Sequence, residues 1–270
     1  MTQRLFAVLM MLVCALPARA DDARTLYDVM RIDALIDIMR TEGLAHGQSL
    51  GRDMLGAGPN PGWAATVDTI YDADRMSATV QTLFVDALEG VRLDPVLDFF
   101  ESDTGQEVIT LELAAREALM DEMVEDAARA RYQEIIDDGG SERFDRLTAF
   151  IEANDLIERN IAGTLNASLQ FYTGLVDGGA IAMTESDILR EVWGSEPDTR
   201  EDTTEWVYGY MLLAYRPLDD DGLEAYIAVS GTEEGAALNS ALFEAFNTMY
   251  DDISYALGRA VSEQMSAQEL

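Results

Sequence analysis

Three features of the sequence predict an all-α fold. Apolar residues recur every three or four positions through nearly every segment, which lays an apolar stripe along one face of a helix. No segment shows the sustained apolar–polar alternation, bounded by turn residues, of a half-buried strand. The prolines beyond residue 20, at positions 59, 61, 95, 197 and 217, fall where periodic segments start or stop. A residue without a backbone N–H is tolerated there. A repeat that pairs 93–130 with 223–260 refines this to a helical bundle built from two related halves, 21–139 and 140–270.

Residues 1–20 read as a cleaved leader. Arg4 gives a short charged start, Leu5–Leu16 is apolar, and Ala18-Arg19-Ala20 precedes Asp21-Asp22. That order matches a secretory signal peptide cut after Ala20, and the expected destination is the periplasm. The single cysteine, Cys14, leaves with it, so neither disulfide nor thiol chemistry is expected afterwards. The remaining 250 residues are long enough to bury a core without cross-links.

The elements follow in order. Leu26, Val29, Met30, Ile36 and their neighbours predict a helix over 25–40, closed at Gly43. A weaker helix is expected over Leu44–Leu55, interrupted in character by Gly47 and Gly51. Gly56 to Gly62 contains two prolines and three glycines and reads as a loop. Helices are expected over Trp63–Tyr71, Arg75–Val91 and Leu93–Glu101, the last with Pro95 in its first turn. Ser102 then caps a long amphipathic helix from about Gly105 to Ile136. Asp137-Asp138-Gly139-Gly140-Ser141 is the expected linker, and a further long helix runs from Ser141 to about Leu175. Thr184 to Asp187 caps a short helix, Pro197-Asp198 opens the segment carrying Trp206–Tyr215, and Asp219 to Gly222 reads as a loop.

Residues 93–130 overlay 223–260 without a gap. Ser102 and Thr232 each precede a glycine by three positions, Gly105 and Gly235. Apolar positions 108, 111, 115, 119, 123, 127 and 130 meet 238, 241, 245, 249, 253, 257 and 260, and the acidic pair Asp121-Glu122 meets Asp251-Asp252. This pattern predicts two related halves, with Val108/Leu238, Leu119/Met249 and Met123/Ile253 facing inward.

The first copy, Phe99-Phe100-Glu101-Ser102-Asp103-Thr104-Gly105-Gln106 and the helix after it, resembles the bacterial family "domain of unknown function 2059". Its members are exported helical proteins with an aromatic pair, a serine and then Gly-Gln or Gly-Lys. The second copy departs from that pattern: Val229-Ser230 replaces the aromatic pair and Ala236 follows Gly235. The resemblance implies a helical, exported protein and carries no activity with it.

Charge excludes whole classes of partner. The chain has 18 basic and 51 acidic residues, for a net charge of −33, and contains no lysine. Loss of the leader removes two arginines and no acid, leaving 16 basic against 51 acidic residues, or −35. Nucleic acid needs a basic footprint, and so does an anionic membrane surface. No apolar run past the leader reaches the roughly 18 residues of a membrane-spanning helix.

Specific chemistry is sparse. Ser102 reads as a helix cap, Gly105 as a place of close approach, and Phe99 and Phe100 as core. Glu101 is the one candidate acid: beside two phenylalanines it would be a general acid of a cell-wall or carbohydrate hydrolase working with paired carboxylates. His46 is the sole histidine and lacks companions for a transition-metal site; it reads as packing or surface. Asp219 to Gly222 lacks the acidic spacing of a calcium loop. Trp206, Tyr208, Tyr210 and Tyr215 read as helix core. No catalytic, cofactor-binding or metal-ligating residue is assigned. The favoured expectation is a non-catalytic binding or interaction module, its partner an unidentified protein or a small molecule held in a pocket between the halves.

Overall fold

A computed structural model describes residues 18–56 and 61–268. Most of the expected leader and most of the Gly-Pro loop lie outside them. The described residues form helices α1 (Ala18–Val29), α2 (Ile32–Leu55), α3 (Pro61–Ile70), α4 (Ala73–Ala87), α5 (Asp94–Phe100), α6 (Asp103–Ala118), α7 (Glu122–Asp137), α8 (Glu142–Ala153), α9 (Leu156–Gly178), α10 (Glu185–Gly194), α11 (Glu196–Ala214), α12 (Asp220–Ser230) and α13 (Glu233–Gln268), with no strand among them. The all-α class predicted from the sequence is the class observed.

Several boundaries differ from the sequence reading. The first helix ends at Val29, not at Gly43, because Arg31 takes a left-handed conformation (φ 53°). Its guanidinium reaches Gln106 Oε1 at 2.9 Å and Thr110 Oγ1 at 3.4 Å. Gly43 does not end a helix. With Gly47 and Gly51 it forms a buried edge of α2, one glycine per turn, against which Tyr71, Val67 and Trp63 of the α3 segment lie directly. A Cβ at any of the three would overlap those side chains. The expected long helix beyond Ser102 breaks at Leu119–Asp121, where Asp121 caps α7 by accepting from the Met123 N–H at 2.9 Å. Ser141 caps α8, as expected, but α8 ends at Ala153 and Asp155 turns left-handed (φ 53°) before α9. Asp219 to Gly222 is the cap and first turn of α12, not a free loop: Asp219 Oδ1 accepts from the Gly222 N–H at 2.8 Å. The capping box at Thr184–Asp187 is present.

Helices α9 and α13 are the spine of the molecule. Gly163 meets Asn247, Gly174 meets Gly258 and Gly178 meets Ser262, so the same offset of residues holds throughout and the two helices run parallel. At the Gly174–Gly258 crossing each glycine abuts the other helix's backbone, and a methyl group there would force the helices apart. Parallel neighbours need a long connection, here α10 to α12. One large core joins α1 to α5 with α13; a second joins α6, α7 and α8 with α11 and α12; a small third pins α10 to α9. The first core takes residues from Ala23 to Val261, and so draws on both predicted halves.

The two segments paired in the sequence share one corner and then part. Ser102 Oγ accepts from the Gly105 N–H at 3.1 Å and donates to the Phe99 carbonyl at 2.6 Å. Thr232 Oγ1 does the same with Gly235 at 3.0 Å and Val229 at 2.7 Å. In both, a Cβ on the glycine would overlap the carbonyl oxygen six residues back. Beyond the corner, α6 stops at Ala118 whereas α13 runs 36 residues without a break. Leu119 and Met249 are buried (7% and 2% exposed) and so is Ile253, but Met123 is 77% exposed. The expected inward Met123 is therefore a correction. The Asp121 cap turns the chain and carries Met123 outward, while Asp251 continues its helix.

Candidate functional site

The site grows from an acid placed on a buried helix face. In α6, Val108 and Ala115 are core residues. Glu112 lies four residues after Val108, so it shares their stripe. Its Oε1 accepts hydrogen bonds from the Tyr226 hydroxyl at 3.1 Å and from the Tyr215 hydroxyl, and its backbone carbonyl accepts from the Tyr210 hydroxyl at 3.3 Å. Tyr210 lies in α11, Tyr215 ends it, and Tyr226 belongs to α12. Three tyrosines from two elements thus converge on one residue. Among the described residues no donor meets Glu112 Oε2. Burial pushes the Glu112 carboxyl above the ordinary carboxylate range, and the Tyr215 and Tyr226 hydrogen bonds oppose that shift. Burial, reinforced by the nearby Glu112 charge, raises the phenols of Tyr210, Tyr215 and Tyr226 well above their ordinary value.

Glu112 lines a cavity of 890 Å³. The side chain is half-buried, because it faces this partly open space. One wall is the α9–α13 pair, including Phe171, Leu242 and Phe246; the other comes from α2, α5, α6, α8, α11 and α12. Aromatic rings crowd the Glu112 end. Phe99 stacks on Tyr226 at 5.6 Å, and Phe150 lies 5.2 Å from the same ring. Asn160, Asn239, Asn247 and Ser254 add polar groups along the spine wall. The volume suits a small organic molecule, and a mainly apolar wall with few polar groups is the usual character of such sites.

Arg116, one turn beyond Glu112, closes one side. Its Nε and Nη2 donate to the two oxygens of Glu42 at 2.7 and 2.6 Å, a bidentate pair. The guanidinium sits 4.9 Å above the Trp206 ring, and Trp206 stacks on Tyr210 at 5.3 Å. Tyr250 of α13 stands nearby, its phenol pushed up to about 12, chiefly by burial. His46 is exposed on α2 and contributes to the cavity rim.

The residues singled out from the sequence fall mostly elsewhere. Glu101 caps the C-terminus of α5 and is exposed, outside the cavity wall, so Phe99 and Phe100 do not enclose it. Gln106, the polar residue of the family motif, ties elements together. Its Nε2 donates to the Phe100 carbonyl at 2.7 Å and to the Val29 carbonyl at 3.2 Å. Sequence reasoning passed over Glu112 and Arg116. The available signal was a charged residue inside the stripe 108, 111, 115, followed by an opposite charge one turn on. Tyr215 is core, as read from the sequence, and Tyr210 packs against that core; the sequence reading missed that both hydroxyls turn to Glu112.

These features define a class: an all-α protein with a partly open cavity and one half-buried carboxylate in its wall. Within it, residues 74–134 match the model of the bacterial family described as "Uncharacterized protein conserved in bacteria (DUF2059)". This is the family that the Phe99–Gln106 motif resembles, and the match runs from α4 through most of α7. No curated protein and no solved structure is detectably similar. Among the described residues no helix is long and apolar enough to cross a membrane.

Proposed function

We propose that this is an exported, periplasmic, non-catalytic binding protein whose cavity takes a small molecule with an apolar body and one polar end. The carrying observation is Glu112, half-buried in the wall of an otherwise mostly apolar cavity, with two tyrosine hydroxyls on one oxygen and the other oxygen unclaimed by the described residues. Oε2 faces the open space of the cavity, where a ligand's donor can meet it. Binding is favoured over hydrolysis because Glu112 is the single carboxylate among the described lining residues, whereas glycoside hydrolysis ordinarily uses two. The leader-like pattern of residues 1–20 supports export.

Two measurements test this. N-terminal sequencing of the protein recovered from the periplasm should begin at Asp21; a chain that stays in the cytoplasm with Cys14 attached contradicts export. Titration with the apolar dye N-phenylnaphthylamine, which brightens on leaving water, should saturate at one dye per chain. An absent or non-saturating signal contradicts the binding reading.

A further inference from the structure

The surroundings of Glu112 restrict the polar end of the ligand further, an inference that rests on the binding-cavity reading. The described lining carries three ionisable side chains besides its tyrosines: Glu112, Arg116 and His46. Arg116 is engaged twice over, by the Glu42 carboxylate and by the face of Trp206, so that pair is electrically neutral and already satisfied. His46 is at the exposed rim. Glu112 is thus the ionisable group of the interior with no counter-ion among the described residues. An ionised carboxylate enclosed by protein is costly unless a cation meets it. An anionic end would face Glu112 with Arg116 already held by Glu42. A neutral end leaves Glu112 as the protonated acid that burial favours, whereas an ammonium end supplies the counter-ion that lets it ionise.

The ring environment agrees. Tyr210, Tyr215, Tyr226, Phe100 and Phe150 all line the Glu112 end, and aromatic faces attract cations most strongly when water is excluded. The net charge of −33 adds a long-range field that concentrates cations near the protein and repels anions.

We infer that the ligand carries a primary ammonium group, which donates to Glu112 Oε2 among the aromatic rings while its apolar body lies along Phe171, Leu242 and Phe246 of the spine. Primary rather than quaternary amines fit Oε2, a hydrogen-bond acceptor that an N–H can meet directly.

The test compares octylamine, octanol and octanoate, which share one apolar body and differ at the end group. Isothermal titration into the full exported protein is done at several hundred millimolar salt, so that attraction to the acidic surface is screened. Octylamine should bind at one per chain and at least about tenfold more tightly than octanol, a difference of about 1.4 kcal/mol, with octanoate weakest. In Glu112→Gln, which keeps the shape and the tyrosine partners, the preference for octylamine over octanol should vanish. Equal binding of the three, a preference for octanoate, or an amine preference that survives in Glu112→Gln overturns the ammonium assignment and leaves the binding cavity standing. If none of the three binds, the cavity reading fails too. The wild-type comparison decides the matter even if the variant does not fold.

Discussion

Above the ordinary carboxylate range, Glu112 must either hold its proton or ionise inside the protein, and its burial makes the first cheaper. The sign of the resulting pH dependence is fixed. A carboxyl whose folded-state pKa is raised keeps its proton after its unfolded counterpart has lost it. The folded state then binds more protons, and stability falls as pH rises from the unfolded value through the folded one. Glu112→Gln removes that loss. Its unfolding midpoint relative to wild type, followed by circular dichroism, should therefore move in the variant's favour as pH rises above the ordinary glutamate range. A pH-independent difference would mean that Glu112 titrates normally. The capping residues make a second prediction at this scale. Ser102→Ala and Thr232→Ala should each cost about 1 kcal/mol in denaturant titrations, because each deletes the acceptor for one glycine N–H. Both caps were legible in the sequence, since a hydroxyl three residues before a glycine is a local signal. The Glu112–tyrosine cluster was not, because it joins residues more than ninety positions apart and only the packing of α6 on α11 and α12 brings them together.

Helix boundaries show what local pattern can and cannot specify. The periodic stripe was sufficient to predict helix almost everywhere. It did not locate the breaks at Arg31 and Asp155, where non-glycine residues adopt left-handed backbone; aspartate tolerates that conformation more readily than arginine. Nor did it predict that α2 would run through three glycines. Glycine lowers helix propensity by roughly 0.5–1 kcal/mol relative to alanine, and here packing against Tyr71, Val67 and Trp63 outweighs that local cost. Trp63 Nε1 also donates to the Gly47 carbonyl at 2.8 Å. The same logic governs the spine. Gly174→Ala or Gly258→Ala would drive a methyl group into the opposing backbone, so each should destabilise by roughly 1–3 kcal/mol despite alanine's better helix propensity. Wild-type stability in Gly258→Ala would show that α9 and α13 are not in backbone contact. Leu119→Ala, at the buried end of α6, should cost roughly 2–5 kcal/mol. Segments 93–130 and 223–260 correspond only at their corner. Both copies place cap and glycine alike, but the chain breaks at Asp121 and continues through Asp251, so the shared pattern accounts for the turn and not for the length of the helix beyond it.

Across the whole molecule, charge and cavity set the behaviour. Arginines are spread among carboxylates, as in the pairs Arg92–Glu234, Arg143–Asp220 and Arg200–Glu158 and in the cluster of Arg129 with Glu125, Asp202 and Glu205. Exposed pairs contribute little individually, and the acids far outnumber them. Self-repulsion should therefore weaken the fold at low ionic strength, and the unfolding midpoint should rise from low salt to several hundred millimolar as the Debye length shrinks to about 10 Å and below. A flat or falling trend would mean that local pairing neutralises the surface. The central claim, that the chamber between the spine and the α6–α11–α12 wall binds a small molecule, is tested most directly by filling it. Ala167 of α9 lines the cavity, whereas Trp193 of α10 is an exposed ring (63%) outside its lining. Saturable N-phenylnaphthylamine fluorescence should be lost in Ala167→Trp with helical circular dichroism unchanged, and kept in Trp193→Ala. Retention of the signal in Ala167→Trp, or its loss in Trp193→Ala, would place the dye on the surface and contradict the account.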